Sequence, residues 1–129
     1  MAIKKALDIV AGAKSEIENL SVEQVKQEMA GGAVIVDIRD KEELTANGVI
    51  PGSQHVSRGT LEFAADPTLP VYKDFFQPDQ RIILHCAVGG RSALGAKALK
   101  EMGYTNVAHL DVGFNGWKAA GAPVEQAAQ

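Results

Sequence analysis

"RIILHCAVGGRSALGAKALKEMGY", residues 81–104, decides the fold. In "RIILHC" the apolar residues follow one another without alternating with polar ones, the pattern of a strand covered on both faces, as in a parallel sheet. "VGGR" reads as a tight turn. "SALGAKALKEMGY" reads as a helix of small and apolar residues stopped at Gly103, where a left-handed cap is easy. Strand, turn and helix in that order place the turn, and the chain's single cysteine, at the carboxyl end of a buried strand.

The stretches on either side repeat the theme. "SVEQVKQEMAGG" begins with a capping-box pattern, Ser21 followed by Gln24, and stops at Gly31-Gly32, which predicts a short helix. "AVIVDI" follows as a second buried strand. "RDKEELTANG" is a further short helix with Asp40 and Glu43 in capping positions. "NVAHLD" predicts a third strand, and "GFNGWKAAGAPV" a terminal helix whose Trp117 packs inward. The stretch 49–80 holds four of the five prolines and has no sustained period, so it is expected to run as loop and short helical pieces over the surface. Strands separated by helices imply an α/β domain with a mainly parallel sheet and helices on both faces.

Bulk properties narrow the function classes. The chain has 129 residues, 46% apolar and 22% charged, which suits one globular domain. Residues 1–20 are expected to be an N-terminal extension, either a docking helix or a frayed segment, ahead of a domain spanning 21–129. A net charge of −3, with no Lys/Arg run longer than two, gives no basic field for a phosphate backbone, so no nucleic acid is expected as a partner. Asp8, Lys14 and Glu16 break any apolar segment of signal-peptide length, and no stretch approaches the ~18 apolar residues of a membrane span. No membrane association, no metal and no cofactor are expected, and the single cysteine fits a reducing, cytoplasmic setting.

The turn after the cysteine has the makings of a chemical device. Ala87, Val88, Gly89, Gly90, Arg91 and Ser92 all carry a backbone N–H, and a curled loop would aim those donors at one point above Cys86. The two glycines permit positive φ and keep side chains out of the concavity. The positive end of the following helix favours a thiolate and bound anions, and Arg91 adds a permanent cation with forked donors. The bland alternative is an inert buried thiol, the commonest fate of a free cysteine. Such a residue needs neither a Gly-Gly pair, nor an arginine, nor a helix start directly after it.

With these motifs in order, the chain resembles the single-domain rhodaneses, a sulfurtransferase family. "VIVDIRDKEELTANGVIPGSQHV" is similar to the family's N-terminal hallmark through Asp37, Arg39, Glu43, Gly48, Ile50, Pro51 and Gly52. "SRGTLEF" resembles an arginine-containing segment that often follows, "LHCAVGGRSA" the active-site loop, and "GYTNVAHLDVGFNGWKAAGAPV" the C-terminal hallmark with Gly113, Trp117 and Gly121. Val112 and Val49 depart from the usual glycine and histidine at those places. The resemblance covers residues 21–124. It implies a three-layer rhodanese-like fold and a Cys86 persulfide that carries sulfane sulfur from thiosulfate or a related anionic donor to a thiol, cyanide or protein acceptor from outside the chain. It also implies that the loop from Ala87 to Ser92 binds the donor and the persulfide.

Two other readings stay open at this point. Cysteine phosphatases and arsenate reductases can share the fold, but their loops, as that family is known, are one residue longer than the four-residue gap between Cys86 and Arg91. Non-catalytic rhodanese-like domains bind partners, and often lack the cysteine. Arg58 is balanced between donor contact and a solvated charge, with Glu62 as a candidate partner. Asp37 and Arg39 are better read as a structural ion pair, His55 and His109 as packing or surface residues, and His85 as a buried, hydrogen-bonded neighbour of the nucleophile.

Overall fold

The three strands expected from the sequence form the middle of a five-stranded sheet. In the computed structural model, which describes residues 2–128, the strands are β1 (Glu18–Leu20), β2 (Val34–Asp37), β3 (Gln54–His55), β4 (Ile82–His85) and β5 (Val107–Leu110). Their order is β1-β5-β4-β2-β3, and every pairing is parallel. An isolated antiparallel bridge joins Val49 to Glu125 outside the sheet. The edge strands β1 and β3 are short, which is why the sequence pattern did not disclose them.

β4 lies at the centre and is buried along its whole length. Ile82 and Leu84 pack into one core with Val36, Leu61, Phe76, Ala96 and Leu99, whereas Ile83 enters the other with Leu20, Val25, Ile35, Phe114 and Trp117. Those two faces are covered by helices α4 (Leu61–Ala64) and α5 (Gly90–Glu101) on one side, and α2 (Val22–Ala30) and α6 (Gly113–Ala119) on the other. Ser21 caps α2 as expected, accepting from the Gln24 N–H while Gln24 Oε1 accepts from the Ser21 N–H.

The proline-rich stretch is less superficial than expected. It contains β3, a 3-10 turn (Arg58–Thr60) and α4, and it delivers Val56, Leu61 and Phe76 into the core, the last two with no exposed area. Two elements ahead of position 21 pack against the rest of the domain. β1 extends the sheet beside β5, and helix α1 (Ala6–Lys14) lies against α5 with Ala13 buried. Among the described residues no helix is long and apolar enough to cross a membrane.

At the end of β2, Asp37 and Arg39 form the expected ion pair, with both side chains about 1% exposed. Arg39 donates through Nε at 3.0 Å and Nη2 at 2.8 Å to the two carboxylate oxygens, and Nη2 also reaches the Gly48 carbonyl at 2.8 Å. The guanidinium carbon sits 4.1 Å from the centre of the Phe114 ring. α3 (Lys41–Asn47) begins just beyond, so this pair ties the sheet to that helix and to the Gly48 turn. Removing one partner leaves a buried charge alone, so Asp37→Ala should lose about 3–5 kcal/mol in urea unfolding. The paired replacement Asp37→Leu with Arg39→Met should lose less than that single change.

Candidate active site

Cys86 follows β4 directly and is 1% exposed. The chain turns above it so that the N–H of Gly89 and the N–H of Ser92 donate to Sγ at 3.2 and 3.3 Å. Gly90 and Arg91 open α5, and amides in a helix's first turn have no acceptor within the helix. Of the six loop amides expected to face the sulfur, two donate to it directly.

The glycine pair divides its work differently from the sequence expectation. Gly89 has φ +97°, and a Cβ there would lie 2.2 Å from the Asp111 carbonyl oxygen. Gly90 is already helical and has an ordinary φ. The opposite wall comes from α6, where Gly113 has φ +66° and a Cβ would meet the Ala87 carbonyl oxygen at 2.4 Å. Beyond it, Phe114 N–H donates to Cys86 O at 2.7 Å and Asn115 N–H to Ala87 O at 3.0 Å. The loop is held by its carbonyls from one side, which leaves its amides for the sulfur. Val88 projects outward, 66% exposed.

Arg91 does not stand free beside the sulfur. Its guanidinium donates through both terminal nitrogens to Glu43, Nη1 to Oε2 at 2.7 Å and Nη2 to Oε1 at 2.9 Å. Glu43 Oε2 also accepts from the Asp40 N–H at the start of α3. The Arg91 hydrogen bonds, opposed by partial burial and helped by the Asp40 amide, pull the Glu43 carboxyl from 4.5 down to about 2. The same pair pushes Arg91 further up.

Ser92 joins the sulfur to a second buried group. The Cys86 thiol donates to Ser92 Oγ at 3.5 Å, and Ser92 Oγ lies 2.8 Å from His109 Nδ1. His109 Nε2 lies 2.8 Å from Asn19 Oδ1 on β1. Burial pulls the His109 ring down to about 4, with Asp111 opposing and Lys14 assisting. His109, expected in packing or at the surface, is buried and hydrogen-bonded at both ring nitrogens, and Asn19 was not picked out by sequence reasoning. The available signal was a histidine within the otherwise apolar "VAHL", where a buried imidazole needs partners.

His85, expected to be hydrogen-bonded, is not. Its Nε2 is 3.6 Å from Asp37 Oδ2, neither ring nitrogen has a hydrogen-bond partner among the described residues, and the ring stacks on Phe114. Burial lowers its pKa to about 4 against the pull of Asp37. His55, expected in packing or at the surface, is exposed and places Nε2 2.8 Å from Arg39 O. Arg58 pairs with Glu62 at 2.7 Å. The structure thus brings Cys86, Gly89, Arg91 and Ser92 together and occupies Arg58 with its helical neighbour.

The model of the rhodanese-like domain matches residues 21–120. The chain belongs to the rhodanese-like family. Rhodanese relatives include the thiosulfate sulfurtransferase GlpE of Ectopseudomonas mendocina, 34% identical over 81% of this chain and 88% of that protein. A dual specificity phosphatase of Arabidopsis thaliana is 32% identical over 74% of this chain and 68% of its own length. A solved structure from Rhodopseudomonas palustris, described as a protein of unknown function and possible tyrosine phosphatase, superposes with a TM-score of 0.90. It is 41% identical to this rhodanese-like chain and covers 97% of each.

The Glu43–Arg91 pair carries a pH signature. A carboxyl held at about 2 rather than 4.5 contributes stability that is fully present above the ordinary carboxylate range and is lost as pH falls toward about 2. The wild type should therefore be more stable than Glu43→Gln at neutral pH. The difference between their melting temperatures should close between about pH 4.5 and about 2.

Proposed function

We propose that this chain is a sulfurtransferase that carries sulfane sulfur on Cys86. The observation that carries the reading is the pair of amides, Gly89 and Ser92, aimed at a buried sulfur at a strand end, with the guanidinium of Arg91 on the residue between Gly90 and Ser92. Such a cradle favours an anion on sulfur over a neutral thiol. The sulfurtransferase named among the relatives supports the same reading.

In this scheme the Cys86 thiolate attacks the outer sulfur of thiosulfate. A new S–S bond forms to Cys86, the sulfur–sulfur bond of the donor breaks, and its electron pair leaves with sulfite. The persulfide anion is held by the loop from Ala87 to Ser92, and Arg91 assists donor binding. A thiophilic acceptor then takes the outer sulfur and returns the thiolate, a two-step covalent route. Because Cys86 is the only cysteine, the acceptor comes from outside the chain. Arg58, occupied by Glu62, is given no step.

The decisive test is intact mass after incubation with thiosulfate. One added sulfur is expected in the wild type and none in Cys86→Ser, and the added sulfur should be discharged by cyanide. No gain from thiosulfate or from persulfide donors would remove the sulfurtransferase reading. Turnover of an aryl phosphate by the same preparation would replace it with the phosphatase activity named for some relatives.

Arg91 offers a second check. Arg91→Ala should raise the KM for thiosulfate by roughly tenfold or more, the loss of one charged hydrogen-bonding contact to the donor. Its urea midpoint should fall no further than that of Glu43→Gln, because both changes remove the same part-exposed ion pair. An unchanged KM would take Arg91 out of donor binding.

A further inference from the structure

A line of polar groups runs from the sulfur through the buried Ser92 of α5 and His109 of β5 to Asn19, exposed on β1. The direction of its hydrogen bonds can be worked out from the far end. Asn19 Nδ2 donates to the carbonyls of Lys14 at 2.9 Å and Ile17 at 3.2 Å, which fixes the amide so that Oδ1 faces His109. Oδ1 can only accept, so His109 Nε2 carries a proton and donates it at 2.8 Å. The neutral ring then has its lone pair on Nδ1. Ser92 must donate its hydroxyl proton there at 2.8 Å, and turns an oxygen lone pair toward the Cys86 thiol at 3.5 Å.

That arrangement suits a thiol and opposes a thiolate, because a serine lone pair faces the sulfur. It is reversed by one concerted shift. The Cys86 S–H proton passes to Ser92 Oγ, the original Ser92 proton passes to His109 Nδ1, and the electron pair of the broken S–H bond remains on Sγ. Afterwards Ser92 donates to the thiolate and accepts from the imidazolium, so every hydrogen bond in the line is kept. No other reactant is needed.

We propose that His109 is the proton acceptor for the Cys86 thiol, reached through the Ser92 hydroxyl, so that thiolate and imidazolium exist as a pair. This rests on the reading of Cys86 as the nucleophile. His109 touches Ser92 rather than the reacting sulfur and is a positioning residue in this scheme. Its imidazolium stays in place during sulfur transfer and faces the persulfide anion that replaces the thiolate.

The charged groups around the line fit the paired state. On the His109 side, the Asp111 carboxylate lies 3.6 Å from Nε2, and Lys14 of α1 binds that carboxylate at 2.9 Å, tempering its pull. On the sulfur side, Arg91 of α5 favours the anion, itself tempered by Glu43 of α3. Burial alone keeps an isolated ring neutral. A proton on His109 therefore depends on the nearby sulfur anion, which ties the ring's charge to the state of Cys86.

The test is the protonation state of His109, read from the imidazole nitrogen shifts of full-length protein labelled with 15N. At pH 7 the reduced wild type should show an imidazolium. Cys86→Ser, and wild type capped with a neutral thiol-blocking group, should show a neutral ring. In Ser92→Ala the ring should be neutral with the cysteine free. Iodoacetamide alkylation of His109→Gln at pH 7 should be slower than wild type by about tenfold, one pKa unit in thiolate fraction. A neutral His109 ring in the reduced wild type at pH 7 overturns the proposal, as does an imidazolium that persists in Cys86→Ser or in Ser92→Ala. None of these readouts uses a sulfur donor. A failure to form persulfide with a charged ring would remove the sulfurtransferase reading and leave the relay standing.

Discussion

The position of the sulfur depends on one backbone contact, the approach of the Asp111 carbonyl to Gly89. No side chain fits between them, and only a residue free to take φ +97° can turn there. The contact joins the end of β5 to the start of α5, so the turn after Cys86 is set by a neighbouring strand rather than by its own residues. The hydrogen bonds from Phe114 and Asn115 to the carbonyls of Cys86 and Ala87 complete the clamp. A loop gripped by its carbonyls presents its amides on the other side, and the cradle around Sγ follows from that polarity.

Two polar clusters flank this clamp and solve burial differently. Asp37 and Arg39 neutralise each other with a geometry that uses both carboxylate oxygens, and Arg39 is further satisfied by Gly48 and Phe114. Ser92, His109 and Asn19 carry no net charge in the thiol state and are satisfied in series. The first cluster has no alternative arrangement at similar cost. The second has one, because each hydroxyl and ring proton can shift along its hydrogen bond. Rigidity belongs to the ion pair and proton mobility to the neutral line.

Much of this was legible in the sequence, and the limits have physical causes. β2, β4 and β5 announce themselves because strands covered on both faces are apolar at most positions, with Asp37, His85 and His109 the one buried polar residue in each. β1 and β3 do not, since "ENL" and "QH" lie at the sheet edges, have few apolar residues and are too short to show a period. Cys86, Arg91 and Ser92 were readable as one loop because they fall within seven consecutive residues. Glu43 lies 48 residues from Arg91 and Asn19 lies 90 residues from His109, distances over which only the folded sheet can report proximity. Gly90 was credited with a positive φ because a glycine pair does not reveal which member turns.

β1 has a role beyond adding a strand. It covers the outer edge of β5, which without it would present unpaired backbone groups to any passing strand, and it supplies the asparagine that orients His109. Both tasks fall to three residues at the margin of the sheet, joined to α1 by a short turn. Local opening of this margin would bare an adhesive edge and release the imidazole from its fixed tautomer in the same event. Detachment of the first strand is thus a single fluctuation with two readouts, self-association at the sheet edge and altered reactivity at a sulfur two strands away.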